Sequence, residues 1–289
     1  MMNRYIEPQA IKMKKYITLG IVITLVFSVG LISAAKPDST VNPSGGQSAV
    51  VIPAHAVEVA SGVFSLGIAI DNGRIVEGYA IITYKEGFGK PSGTPGNGHD
   101  KPDDTSDYYD FLAKGAKWKT IEPYIVNPTN IRGLDEAFIA NNLAFDIDKW
   151  ESSAGVNILG DEVTGIVDGA DTIIPDDKNE VYFADVEYDD VIAITIVWGI
   201  FGGPSPFREL VEWDMVFDDV DFDWSATGES GKMDFENIAT HEIGHSVGLD
   251  DLYSDECSEQ TMYGYAVNGE TKKRTLEDGD INGVYQLYK

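Results

Sequence analysis

His241-Glu242-Ile243-Gly244-His245-Ser246-Val247-Gly248-Leu249-Asp250-Asp251 is the stretch that decides how this chain of 289 residues is read. On an α-helix, residues four apart project from one face, one turn apart, so His241 and His245 can present their imidazoles to a single ion. Glu242 lies about 100° further round, too far to join its neighbour as a ligand but near enough to reach a water on the metal. Gly248 lacks a Cβ and can take a positive φ, ending the helix and turning the chain back to deliver Asp251 as a third ligand. Two imidazoles and one carboxylate, with a fourth position open to water, suit zinc, although the carboxylate also tolerates other divalent ions.

The helix that such spacing requires is itself written in the sequence. Across Met233–Gly248, Asp234 stands as an N-cap, and Phe235, Ile238, Ala239 and Val247 supply an apolar stripe at helical spacing. Only four histidines occur in the chain. A chance His-Glu-x-x-His is therefore improbable even before Gly248 and Asp251 are counted.

With these residues in place, the pattern His-Glu-x-x-His-x-x-Gly-x-x-Asp resembles the metzincin metallopeptidases, in the variant of snapalysin-like enzymes whose third ligand is aspartate. Gln260-Thr261-Met262-Tyr263-Gly264-Tyr265 resembles the Met-turn of that family, and the resemblance makes Met262 the apolar floor beneath the metal. Thr275–Tyr288 is similar to the closing helix of matrixin catalytic domains, and Thr275 with Asp278 reads independently as a helix start. The matrixins are the nearest branch. Their fold is α/β in the α+β sense: a mixed twisted sheet with an active-site helix, a backing helix and a C-terminal helix.

Departures from the matrixin pattern carry as much information. Where matrixins place a histidine for a structural zinc and acids for calcium, this chain reads Val216-Phe217-Asp218-Asp219-Val220-Asp221. Val216 cannot bind metal, so no second zinc is expected, whereas Asp218 and Asp221 keep the oxygen chemistry that calcium needs. A solvated acidic turn is the other reading of the same residues. Gly264 replaces the tyrosine that astacin-type enzymes carry after the methionine, which leaves Tyr263 and Tyr265 as pocket or core residues.

Composition bounds the rest. With 21 basic against 48 acidic residues the net charge is −27, which repels phosphate backbones and anionic membrane surfaces and excludes nucleic acid as a natural partner. The single cysteine, Cys257, rules out an internal disulfide framework. A monomer acting on protein or peptide substrate is expected.

Lys12, Lys14 and Lys15 precede the uncharged run Tyr16–Ala35, which ends in small residues. Residues 1–35 read as a signal peptide cleaved after Ala35, giving a secreted protein, or as an uncleaved anchor spanning residues 16–35. Translation from Met13 would give a more usual leader. Residues 36–112 read as a propeptide or accessory region: a polar tether, a β-hairpin turning at Asp71-Asn72-Gly73, and a Gly/Pro/Asp-rich linker from Lys85 to Asp107. Nothing here matches the cysteine that keeps matrixin precursors latent; Ser92 stands where sulfur would be, and His99 is an exposed loop residue or a cap on the metal.

The catalytic domain is expected over residues 113–289. Lys117–Asn127 reads as its first strand and Ile131–Trp150 as a helix with Leu134, Ala137, Phe138, Ala144 and Phe145 on its apolar face. Val181-Tyr182-Phe183, Val191–Trp198 and the alternating Val211, Trp213, Met215 and Phe217 read as strands, the second central and the third nearer the active-site edge. Together these features lead to the expectation of a zinc endopeptidase in which Glu242 is the general base. The anionic Asp251 would make the zinc a weaker Lewis acid and move the lower limb of the pH–rate profile to more alkaline values. A zincin-fold binding protein without catalysis and a zinc amidase for small substrates remain the alternatives, and retention of Glu242 favours an enzyme.

Overall fold

Val191–Ile200 is apolar at nearly every position because it lies at the heart of a sheet covered on both faces. The computed structural model describes residues 47–87, 107–188 and 190–289. In chain order the strands are β1 (Val57–Ala60), β2 (Val63–Asp71), β3 (Arg74–Lys85), β4 (Asp110–Phe111), β5 (Tyr124–Asn127), β6 (Asn179–Ala184), β7 (Val191–Ile200), β8 (Glu209–Asp218), β9 (Trp224–Ser225), β10 (Met233–Asp234), β11 (Leu249–Asp250) and β12 (Tyr265–Ala266). Three α-helices accompany them: α1 (Glu136–Ala154), α2 (Phe235–Ser246) and α3 (Asp278–Tyr288).

The main sheet runs β1-β2-β3-β7-β8-β6-β5, with β12 added to the end of β3. Pairs β5–β6 and β6–β8 are parallel, while β8–β7, β7–β3, β3–β2 and β2–β1 are antiparallel. This is a mixed α/β architecture. One face carries the helices on a core that includes Trp150, Phe183, Trp213, Phe217, Phe235 and Ile243. The opposite face has its own apolar cluster around Val76, Ile82, Tyr182, Ile194, Trp198 and Val216.

Several expectations are corrected in this frame. The hairpin at Asp71-Asn72-Gly73 forms β2 and β3, with Asn72 at φ 46° and Gly73 at φ 79°, the double positive-φ turn that Asn-Gly favours. Strand β3 hydrogen-bonds along its length to β7, from Glu77 opposite Gly199 to Tyr84 opposite Val191. The described residues from Gln47 to Lys289 fall in one compact unit. The leader and tether, residues 1–46, lie outside the described residues, as do Ser92 and His99.

The first strand of the catalytic part is confined to Tyr124–Asn127, directly after Pro123. Helix α1 starts later than expected, capped by Asp135, which accepts from the Phe138 amide, and it ends at Gly155 with φ 74°. Its buried face is Ile139, Asn142, Leu143, Asp146, Ile147 and Trp150, whereas Ala137, Ala144 and Phe145 are exposed. Leu134 and Phe138 of the expected stripe do pack on the core, and the rest was misplaced because two buried positions are polar. Helix α3 begins at Asp278 rather than Thr275, through a capping box between Glu277 and Asp280. Strand β8 lies inside the sheet, between β7 and β6, so β7 rather than β8 adjoins the active-site helix at its base.

Candidate metal centre

Helix α2 is fixed before it meets any ligand. Asp234 caps it by accepting from the Asn237 amide, and Arg274 pairs with the same carboxylate. Every residue of the helix except Glu236 is buried, so its two histidines project into the protein rather than into solvent. The helix stops after Ser246, and Gly248, at φ 105°, turns the chain. A side chain at Gly248 would also meet Leu287 and the Ala116 carbonyl. The chain then passes through β11, which pairs with β4, and brings Asp251 back beneath the histidines.

The resulting geometry is compact. His241 Nε2 and His245 Nε2 lie 3.2 Å apart, and Asp251 Oδ1 lies 3.2 Å from the first and 3.5 Å from the second. Each Nδ1 faces a backbone carbonyl, that of Thr261 at 2.6 Å for His241 and that of Leu249 at 3.0 Å for His245. Carbonyls only accept, so both Nδ1 atoms carry a proton and Nε2 is the atom each imidazole has left to offer an ion. Two lone pairs and a carboxylate oxygen facing one another repel unless a proton or a cation lies among them. Tetrahedral ligands about 2.0–2.1 Å from a zinc ion stand about 3.3–3.4 Å from each other, and the three separations here agree with that. Apart from the two imidazoles, buried Asp251 Oδ1 has no polar partner among the described residues. The donor set fits zinc.

Glu242 is fully buried, and the Thr195 hydroxyl donates to its Oε2 at 2.6 Å, leaving Oε1 without a partner. The other oxygen of Asp251 accepts from the Tyr253 hydroxyl at 2.9 Å. Tyr253 in turn rests on the β1–β2 turn, where a Cβ at Gly62 would lie 2.6 Å from its hydroxyl oxygen. Met262 is buried against α2; a Cβ at Gly244 would come within 2.2 Å of its sulfur and 2.9 Å of the Trp150 ring. Asp280 holds the Met262 segment by accepting from the amides of Thr261 and Met262.

Charge within this cluster is arranged around Asp251. Burial would raise its carboxyl, but the charge of the neighbouring His245 and the closeness of both imidazoles hold it well below the usual carboxylate range. Burial and the adjacent Lys273 push His241 down. For His245 burial acts downward too, but the charge of Asp251 outweighs it and lifts the imidazole to about 9. Lys273 is itself buried, its ammonium 3.5 Å from His241 Nδ1 and bonded to the Tyr263 carbonyl, and burial lowers it to about 8.

The structure brings His241, Glu242, His245, Asp251 and Met262 together and puts Asp218 and Asp221 elsewhere. Asp218, at the end of β8, is buried; its Oδ1 accepts from the amides of Val220 and Asp221 and its Oδ2 from that of Val186. Asp185, Asp218 and Asp221 each offer an oxygen within 4.8 Å of the others. Tyr265 sits in β12 beside β3, and Cys257 is buried with a free thiol. Sequence reasoning missed Thr195, Tyr253, Gly244 and Lys273. Only Thr195 left a signal, as the one hydroxyl in the apolar run Val191–Trp198.

The family model described as Matrixin matches residues 176–289, from just before β6 to the end of α3. The match supports a matrixin-like metzincin catalytic domain in that part of the chain, and the matrixin family is one of zinc-dependent metallopeptidases. No curated protein matches the chain.

Proposed function

We propose that the chain is a secreted zinc endopeptidase, with His241, His245 and Asp251 as the zinc ligands and Glu242 as general base. The observation that carries this reading is the convergence of two imidazole Nε2 atoms and a buried carboxylate oxygen at mutual distances of 3.2–3.5 Å, beside a Glu242 oxygen that has no partner among the described residues. Bound there, zinc would supply a Lewis acid that makes water nucleophilic near neutral pH and polarises a peptide carbonyl.

The residues divide the remaining work. Thr195 holds one oxygen of Glu242, so the other is free to take the proton of the attacking water and later give it to the leaving amine. Thr261 and Leu249 fix the tautomers of the two imidazoles through their carbonyls, and Tyr253 fixes the carboxylate of Asp251. Met262 limits how closely other groups approach the helix below His241 and His245. Water is largely excluded, which strengthens each of these interactions.

Export is supported by the basic residues and apolar run of the leader. Calcium at Asp218 and Asp221, with Asp185 as a third carboxylate, is part of the same reading; such an ion would compete with the amides that Asp218 now accepts. Digestion of an unbiased peptide library, with Glu242→Ala as control and zinc and calcium stoichiometry measured on both proteins, tests the assignment. The native chain is expected to cleave and the variant to retain zinc without cleaving. Equal cleavage by the two would overturn the mechanism.

A further inference from the structure

Strands β6 and β8 carry an unusual row of acids. Their alternation sends Val181, Phe183, Trp213, Met215 and Phe217 to the helix-covered face, and Glu180, Tyr182, Glu212, Asp214 and Val216 to the other. Glu180, Glu212 and Asp214 are each only 1% exposed. What covers them is the long connection from Gly155 to Lys178, which contains neither helix nor named strand. Connections of that length need a reason to stay in place.

The acids hold the connection by its backbone. Glu180 accepts from the amides of Asp168 and Gly169, Asp214 from those of Asp171 and Glu180, and Glu212 Oε2 from that of Asp177 at 2.6 Å. Five of the six carboxylate oxygens accept a backbone amide, four of them from the connection. The sixth, Glu212 Oε1, is buried and has no partner among the described residues. An unpaired buried carboxylate oxygen is costly.

Glu212 also offers an oxygen within 4.8 Å of oxygens from Asp171 and Asp176 on the connection. Lys178 pairs with Asp176 and Asp168, and among the described residues no other basic side chain pairs with these acids. We propose that Asp171, Asp176 and Glu212 form a binding site for a divalent cation of the calcium type, which ties the Gly155–Lys178 connection to the sheet. The donors are all oxygen, as calcium prefers, with no imidazole or thiolate to favour zinc. Flexible carboxylates from an irregular segment suit calcium better than the strict octahedron of magnesium. Asp176 is exposed and gives the ion a way in.

The site differs from the grouping at Asp218 in the open Glu212 oxygen: both oxygens of Asp218 are engaged by amides, and here Asp176, held by the amide and ammonium of Lys178, would have to exchange bonds for the ion. One other arrangement would quiet Glu212, a proton shared with Asp171. Burial, then the charges of Asp214 and Asp171, lift Glu212 to about 10, so without a cation it would hold that proton in neutral solution. The variant Glu212→Gln separates the two cases, because its amide can donate to Asp171 while its oxygen is a poorer cation ligand.

Zinc-loaded full-length protein in calcium-free buffer is titrated with calcium by calorimetry, and with terbium by luminescence excited through tryptophan. Trp198 donates to the Asp171 carbonyl at 2.7 Å, close enough to sensitise an ion there. Native protein is expected to bind calcium, and Glu212→Gln and Asp176→Asn to lose at least tenfold in affinity and most of the terbium emission with zinc content unchanged. Asp176 is on the surface, so its variant reports even if Glu212→Gln fails to fold. Calcium binding equal in native protein and Asp176→Asn would overturn the proposal. So would native protein that binds no calcium while Glu212→Gln melts at the same temperature or higher, the result for a shared proton.

Discussion

Thr195, in the middle of β7, donates its hydroxyl to Glu242 of α2 at 2.6 Å, with both side chains fully buried. The sheet thereby holds the group that the proposed reaction depends on. Thr195→Val keeps the shape and removes the bond, so Glu242 becomes free to rotate. The expected result is a fall in kcat of about 10–100-fold with KM and zinc content little changed, since misplacing a catalytic group costs on that order. Thr195→Ser should recover most of the rate; a valine variant with native kcat would show that Glu242 needs no such support.

Tyr253 supports the proposed third ligand in the same manner, through its bond to Asp251 Oδ2. Tyr253→Phe is expected to weaken zinc binding by roughly tenfold or more, the usual effect of removing a group that orients a ligand. Competition against a chromophoric chelator measures this directly. Unchanged affinity would mean that Asp251 is positioned by the turn at Gly248 alone.

Gly244 lies within the motif, yet its role is steric. A methyl group there would press on the Met262 sulfur and the Trp150 ring. Gly244→Ala is expected to destabilise the protein by about 1–3 kcal/mol, as overpacked cores do. Pairing it with Met262→Ala should recover part of the loss in thermal melts, because the sulfur is the nearer obstacle. No recovery would place the strain at Trp150.

Asp146, buried on α1, is pushed up to about 7 by burial, which outweighs the downward pull of Lys149 at 2.6 Å. A carboxyl whose folded value lies above its unfolded one contributes fully at pH below the unfolded value, and that contribution is lost as pH rises through the folded value. Stability due to this group therefore falls between pH 4 and pH 7, by on the order of a few kcal/mol. Asp146→Asn should flatten that part of the curve of melting temperature against pH. A curve with native slope over this range would place the pH dependence elsewhere.

What the sequence disclosed and what it withheld follow from the range of the forces involved. The convergence of His241, His245 and Asp251 was legible because these residues and Gly248 are linked by helix periodicity and one turn, both local. The Asn72-Gly73 turn was legible for the same reason. The partner of β3 was not, since pairing with β7 depends on residues far along the chain, and a Gly/Pro-rich stretch between them looks like a boundary. The buried face of α1 was misread because Asn142 and Asp146 occupy core positions that only tertiary partners make tolerable. Tyr253 and Lys273 gave no local sign at all, being defined by what lies across from them.

The antiparallel pairing of β3 with β7 also sets the order in which the chain can fold. Strand β3 leaves the ribosome long before its partner exists, yet Val76, Ala80, Ile81 and Ile82 end up almost wholly buried. Until β7 is made, the hairpin is an unpartnered apolar ribbon, and closing the loop between the two strands requires a distant contact. Folding should therefore be slow and sensitive to aggregation, with the hairpin needed throughout. A chain started at residue 113 would lack β1, β2 and β3 and would leave the edge of β7 bare, so refolding such a fragment is expected to give precipitate that a separately supplied Gln47–Gly87 peptide reduces.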